Sequence, residues 1–356
     1  MRDEIRVGLI GTSGWSERMY LSSLASDPRA RVAALCGRRP ERTREVAERF
    51  GVPRTFSDYR EMIAAGGLDA VVVAAPDDEH HAMTLAALDA GLHVLCEKPL
   101  ARSAEQAHEM WSRAREAGVV HMTLFTFRWL PAHRFLGELV AAGRIGEPRA
   151  FAFRFVHGLG VREDLRWRGD AARSDGVLAD LGSHLFDLVH WWLGPVTAVS
   201  ADLHGFGSPD AANDSATVSL RLASGAHGTV HLSSIAHVDE ETPGQVFTLF
   251  GSEGTLEGRL SRSGSEIRLV TPTEGWHALT IPDRLLAGAP RDAPWTVFTT
   301  GNSGPRAWID AILERRPASP DFEDGWRAQR VIDAALESAR THCWTAISHR
   351  DTEAQR

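Results

Sequence analysis

Cysteine is scarce in this chain: there are three in 356 residues, Cys36, Cys96 and Cys343. Their spacing fits no metal site, and Cys36 and Cys96 fall inside apolar runs, where a thiol acts as a small hydrophobe. The expectation is a reducing compartment without structural disulfides. No apolar run reaches membrane length. The opening residues Met1-Arg2-Asp3-Glu4 lead toward a strand with no signal-peptide pattern, so a cytoplasmic protein with no membrane partner is expected. Basic blocks are missing as well: 39 Lys and Arg stand against 47 Asp and Glu, for a net charge of −8. That balance argues against nucleic acid as a partner. Repeats and low-complexity segments are absent. The composition, 43% hydrophobic and 24% charged, is ordinary for a globular chain, and the length suits about two domains.

In the N-terminal half, apolar strands alternate with helical patterns. Strands are expected at Ile5 to Ile10, Arg31–Cys36, Asp69–Ala75, the run His93-Val94-Leu95-Cys96 and Val119–Phe125. Helices fall between them: Trp15 to Ala25, Glu41–Phe50, a short one capped by Ser57, one ending near Ala90, and one from the Ser103/Gln106 capping box to Ala117. This alternation predicts a parallel, doubly wound sheet. In such a sheet ligands bind at the carboxyl ends of the strands. Glu97-Lys98-Pro99 sits at one such end, and proline after Lys98 stiffens the turn. The residues alone read as either an aimed lysine or a plain surface Glu-Lys pair.

The first turn, Gly11-Thr12-Ser13-Gly14-Trp15, joins the first strand to the first helix. A helix N-terminus there offers unpaired N–H groups to a pyrophosphate. Read as G-x-G-x-x-G, its second and third glycines are replaced by Ser13 and Ser16, so a structural turn is the competing reading. The second strand ends Cys36-Gly37-Arg38-Arg39, with no carboxylate for a ribose 2′-hydroxyl. Two guanidinium groups suit a 2′-phosphate, which favours NADP over NAD; the alternative is that both arginines merely enter the next helix.

The C-terminal half opens with the alternating strand Pro148–Val156, with Arg154 opposite the phenylalanines. A charged, Gly- and Trp-rich loop from His157 to Gly176 precedes a helical stretch from Val177 to Leu193. In it Asp180 and His184 stand four apart, a spacing that places a carboxylate beside an imidazole on one helix face. Local capping by Asp180 with an exposed His184 is the alternative, and Asp187 is a second candidate for orienting the ring. Strands are then expected at Thr197–Leu203, Thr217–Leu222, Gly228–Ser234, Val246–Phe250 and Thr255–Leu260, followed by helices near Pro305–Arg315 and Trp326–Thr341. A mostly antiparallel sheet results, one face on the Asp180 helix. Its other face, if apolar and uncovered, suits a second copy of the chain.

Over nearly its whole length the chain resembles the Gfo/Idh/MocA oxidoreductases. The resemblance rests on Gly8-Leu9-Ile10-Gly11, on Asp69-Ala70-Val71-Val72-Val73 with Ala75-Pro76 and His80, and on Ala90-Gly91-Leu92-His93-Val94-Leu95-Cys96-Glu97-Lys98-Pro99-Leu100. Gly176-Val177-Leu178-Ala179-Asp180-Leu181-Gly182-Ser183-His184-Leu185-Phe186-Asp187 and Gly251-Ser252-Glu253-Gly254-Thr255 complete it. It implies an α/β fold: a Rossmann domain, residues 1–126, then a substrate-binding and oligomerisation α/β domain with a large open, mostly antiparallel sheet, residues 127–356. The last helix is able to pack back on the first domain. The resemblance also implies a homodimer or homotetramer through the open sheet face. It implies hydride transfer between NADP or NAD and a sugar, cyclitol or sugar derivative, with no metal.

By the same resemblance Lys98 is the catalytic lysine, and Asp180 and His184 are its acidic and imidazole partners. Gly11, Thr12, Ser13, Gly14, Trp15, Arg38, Arg39, Ala75, Pro76, His80, Glu97 and Arg128 face the cofactor, with Trp167-Arg168 beside the nicotinamide. Arg154, His157 and Arg168 join Lys98, Asp180 and His184 as substrate contacts. In the expected mechanism His184 acts as general base for alcohol oxidation and Lys98 donates a hydrogen bond to the reacting oxygen. Two other outcomes suit the same scaffold: a glycosidase-like enzyme with transient oxidation, and a cofactor-binding sensor or repressor that catalyses nothing.

Overall fold

The apolar run at residues 5–10 forms β1 (Ile5–Ile10), the centre of a six-stranded sheet. The protein is described here by a computed structural model covering residues 4–162, 166–206 and 211–347. The other strands of this sheet are β2 (Ala30–Cys36), β3 (Thr55–Phe56), β4 (Ala70–Val73), β5 (His93–Cys96) and β6 (His121–Thr123). All adjacent pairs are parallel, in the order β3-β2-β1-β4-β5-β6. β4 is buried along its entire length, which is why it reads as continuous Ala-Val-Val-Val rather than as an alternation. The strand order reverses between β1 and β4, the point where a doubly wound sheet opens a crevice at its carboxyl edge.

The connecting helices match their sequence signals closely. α1 occupies residues 14–25, with a π turn at Glu17–Leu21. α2 (Pro40–Phe50) starts on proline. α3 (Tyr59–Ala64) is capped by Asp58 and not by Ser57, because the Asp58 carboxylate accepts from the Arg60 amide at 2.7 Å. α4 (His80–Asp89) follows a short turn. α5 (Ala104–Ala117) carries the Ser103 cap at 3.2 Å from the Gln106 amide, with Gln106 reaching back to the Arg102 amide.

The chain divides into two compact units, Met1–Trp129 with Ala287–Trp326 and Leu130–Leu286 with Arg327–Arg356. Residues 287–326 thus belong with the Rossmann sheet, a correction to the single boundary expected at 126. The cause is packing: Phe322 and Trp326 enter the core formed by Val71, Val94 and Trp111, and Arg29 pairs with Asp310 at 2.5 Å. α8 (Pro305–Glu314) lies wholly in this unit, and α9 (Phe322–Thr341) supplies its first turn.

The second unit is a nine-stranded sheet in the order β14-β13-β12-β11-β7-β10-β9-β8-β15. Its strands are β7 (Pro148–Val156), β8 (Val196–His204), β9 (Ser215–Leu222), β10 (His227–Ser233), β11 (Gln245–Gly251), β12 (Thr255–Leu260), β13 (Ser265–Val270), β14 (His277–Leu279) and β15 (Thr345–Ala346). Only β7 and β10 pair in parallel. β13 and β14 fall in the stretch from Val196 to about Thr280 whose pattern reads as β, though neither was singled out as a strand, and β15 was not expected; β14 and β15 are too short to show a period. On the inner face Phe151, Phe153, Val230, Leu232 and Phe247 are buried. They pack on α6 (Pro131–Ala141) and α7 (Ser183–Leu193), where Trp192 meets Phe153 and Phe247 edge-on. Outward positions such as Ala152, Arg154, Thr217, Thr229, His231 and Arg259 are exposed. The expectation of an uncovered apolar face is therefore corrected: strict alternation sends mostly polar side chains outward.

Candidate active site

The first unit gathers its candidates at the carboxyl ends of β1, β2, β4 and β5. Gly11 leaves β1 at φ 127°, and a side chain there would place Cβ 2.2 Å from the Ala74 carbonyl oxygen. Glycine is required both by the backbone and by this close approach. Ser13 takes the N-cap of α1, accepting from the Ser16 amide at 3.1 Å, while the buried Ser16 hydroxyl lies 2.9 Å from that of Ser13. The two serines that replace glycines thus build the turn instead of obstructing it. Thr12 lines the floor beneath Gly37, where a Cβ would fall 2.7 Å from its methyl and 2.6 Å from the Thr43 hydroxyl. A carboxylate cannot be seated at position 37 without moving both. Arg38 and Arg39 beside it are exposed, and their guanidinium groups take no partner among the described residues. A tight glycine turn and two unengaged guanidinium groups fit a phosphorylated dinucleotide.

Lys98 follows β5 and is partly exposed. It is the only lysine in the chain, against 38 arginines. That count is a sequence signal of its own. Every other Lys or Arg position in the sequence is arginine, and the two cations are not interchangeable as donors. The preceding Glu97 is 7% exposed and collects three donors: the Trp15 indole N–H, the Tyr20 hydroxyl at 2.6 Å and the Lys98 amide at 3.1 Å. Burial, then the Glu97 charge, pushes the Tyr20 phenol well above its usual range, so it remains a donor. Trp15 in turn meets Trp295 edge-on with centroids 6.0 Å apart. Tyr20 was not anticipated. Its signal was a phenol within an apolar helical face, where the hydroxyl needs a partner. Replacing Glu97 by alanine leaves the Tyr20 hydroxyl buried without its acceptor. The expected loss is about 1–3 kcal/mol of unfolding free energy, and Tyr20→Phe loses less; equilibrium denaturation checks both.

Two expected cofactor residues have other engagements. His80 has no exposed surface, and both ring nitrogens lie at main-chain carbonyls. Arg128 forms a two-pronged ion pair with Asp324 at 3.0 and 3.3 Å and is 9% exposed. It ties the end of β6 to the start of α9, which requires a bidentate cation.

In the second unit His184 lies in the first turn of α7 and is 7% exposed, not on the surface. Asp180 sits in a π turn, Leu178–Gly182, that leads directly into α7, so the stretch is helical throughout. Such turns are frequent at functional sites. The Asp180 carboxylate lies 3.5 Å from Arg168 Nε, and the Arg168 guanidinium stacks on the Trp167 ring at 4.4 Å. Trp167, Arg168 and Asp180 therefore form one cluster, although Trp167 and Arg168 come from the long loop; residues 163–165 of that loop lie outside the described residues. His157 accepts from the Leu159 amide at 3.2 Å. Arg154 is a correction. It projects from the outer face of β7, donates to the Pro243 carbonyl at 2.9 Å, and lies on the side of the sheet opposite α7. The strand's two-residue period separates it from His184. Among the described residues no cluster of His, Cys, Asp and Glu could hold a metal ion, and no helix is long and apolar enough to cross a membrane.

Comparison with known proteins places the chain in a family. Residues 5–125 match the oxidoreductase family with an NAD-binding Rossmann fold, and residues 137–347 match that family's C-terminal alpha/beta domain. A levoglucosan dehydrogenase from Pseudarthrobacter phenanthrenivorans is 27% identical over 86% of this chain and 87% of its own. A D-apiose dehydrogenase from Rhizobium rhizogenes is 28% identical over 87% and 88%. Among solved structures, a levoglucosan dehydrogenase in complex with NADH and levoglucosan superposes with a TM-score of 0.88 at 25% identity, covering 97% of this chain and all of that one. The chain belongs to the Gfo/Idh/MocA family and is an NAD(P)-dependent oxidoreductase acting on CH–OH groups.

Proposed function

We propose that the chain is an NADP-preferring dehydrogenase or reductase of a sugar, cyclitol or sugar derivative, located in the cytoplasm. The observation that carries this is the single lysine of the chain, at the end of β5, on a turn tied through Glu97 to the phosphate-side helix. The names of the relatives support a carbohydrate substrate.

The nicotinamide cofactor, when bound, supplies the hydride acceptor or donor. Gly11 to Trp15 cradle its phosphates and Arg38 and Arg39 hold the 2′-phosphate. The Lys98 ammonium donates to the substrate oxygen and stabilises alkoxide charge as it develops. An imidazole nitrogen of His184 takes the hydroxyl proton during oxidation and returns it during reduction. Asp180, paired with Arg168, holds the substrate or orients His184, with Trp167 against Arg168.

A panel of sugars and polyols assayed with NADP and NAD in parallel tests this reading. Net reduced cofactor with at least one sugar is expected. Bond cleavage without net reduction, or cofactor binding without turnover on any substrate, would overturn it. In the Arg38→Ser/Arg39→Ser double variant, kcat/KM for NADP drops about tenfold or more while that for NAD holds, each lost charge-assisted contact contributing about 1.5–3 kcal/mol. Equal loss with both cofactors removes the arginines from 2′-phosphate recognition. A homodimer or homotetramer, as the family resemblance implies, is further proposed. Light scattering at the mass of one chain would end that proposal.

A further inference from the structure

One buried imidazole stands between two main-chain carbonyls at the carboxyl edge of the first sheet. His80 opens α4 and is fully enclosed. Its Nδ1 lies 2.8 Å from the Pro99 carbonyl oxygen and its Nε2 2.9 Å from that of Ala75. A carbonyl oxygen only accepts. A neutral imidazole carries one N–H, so either neutral tautomer would set a ring lone pair against an oxygen lone pair. Only the doubly protonated ring satisfies both contacts.

Burial opposes that charge and is the largest influence on the ring. Cys96 of β5, through its charge and a hydrogen bond to the ring, and the two carbonyls act the other way, and the ring is raised to about 9. β4 offers no titratable group. The turn after β5 carries Glu97 and Lys98, the turn before α4 carries Asp77, Asp78 and Glu79, and Glu109 of α5 is taken by His81 at 2.8 Å.

The geometry is mechanical in effect. Pro99 directly follows Lys98, and Ala75 lies just past β4. The ring thus clips the lysine turn to the neighbouring strand end. On its other side the Lys98 amide is held by Glu97. We propose that His80 is a buried imidazolium that fixes the Lys98–Pro99 turn, making it the positioning residue for Lys98. The catalytic half of this statement rests on the proposed role of Lys98; the structural half does not.

A group whose folded-state pKa is raised contributes stability that is complete below its ordinary 6.5 and lost as pH rises through about 9. Ring nitrogen spectra of the whole chain labelled with 15N-histidine, assigned through His80→Gln, test the charge. Two protonated nitrogens at neutral pH, lost only near pH 9, are expected; a singly protonated ring at neutral pH overturns the proposal. Amide exchange across residues 95–101 tests the clip. It should rise about tenfold in His80→Gln and stay unchanged in His81→Gln; no rise in His80→Gln overturns the proposal. Neither measurement needs a substrate, so both stand if the sugar reading fails. With an active substrate, kcat in His80→Gln falls about 10²-fold, KM for the cofactor changes little, and the alkaline limb of the pH profile shifts. A His80→Gln enzyme with unchanged kcat and pH profile removes the positioning role.

Discussion

Replacing Lys98 by arginine lowers kcat by about 10²-fold or more while the unfolding transition stays intact. Arginine keeps the charge, so the substitution asks whether charge alone is needed. The guanidinium is planar, longer and permanently protonated, and its donors form a fixed fork. An ammonium is a compact point donor able to follow a substrate oxygen as its charge grows. The composition makes the experiment sharper than usual, because arginine supplies every other basic side chain. Lys98→Ala should lose at least as much. Near-normal turnover in either variant removes Lys98 from the chemistry. The same composition allows a direct control: reductive methylation with labelled formaldehyde marks one side-chain amine and the chain terminus. Protection of the Lys98 signal by cofactor plus substrate is expected.

His184→Ala is expected to cost about 10²-fold or more in kcat, the contribution of a positioned general base. KM should change less than kcat. The ring is 7% exposed in the first turn of α7, so its substitution also leaves a small cavity. His184→Gln, closer in volume, separates the two effects: retained stability with lost turnover assigns the role to proton transfer. Asp180→Asn breaks the contact with Arg168 and should be milder, about tenfold, since the amide preserves shape and one acceptor. Full activity in both His184 variants would return the proton-transfer role to another group.

Local pattern carried most of the fold. β1, β5, β7 and β12 were legible from apolar runs or alternation, because a strand buried on one or both faces leaves that mark in its composition. Caps were legible where a single side chain sets them, as at Ser103, and misread where two polar neighbours compete, as at Ser57 and Asp58. β14 and β15 escaped because two or three residues cannot display a period. Of the candidate residues, Gly11, Lys98, Asp180 and His184 were singled out from residue type and position along the chain alone.

By itself, the order of residues determined the alternation of the first sheet, the glycine at the first turn, the two arginines after β2 and the one amine at the end of β5. These follow from steric limits and functional groups that act within a few positions of the chain. Tertiary structure decided the partners: Tyr20 on Glu97, Asp324 on Arg128, Arg168 on Asp180, and the carbonyls of Ala75 and Pro99 on His80. It also sent Arg154 to the far side of its sheet and drew residues 287–326 into the first unit. Hydrogen bonds and ion pairs act over a few ångströms in space, and only folding brings residues distant along the chain within that range.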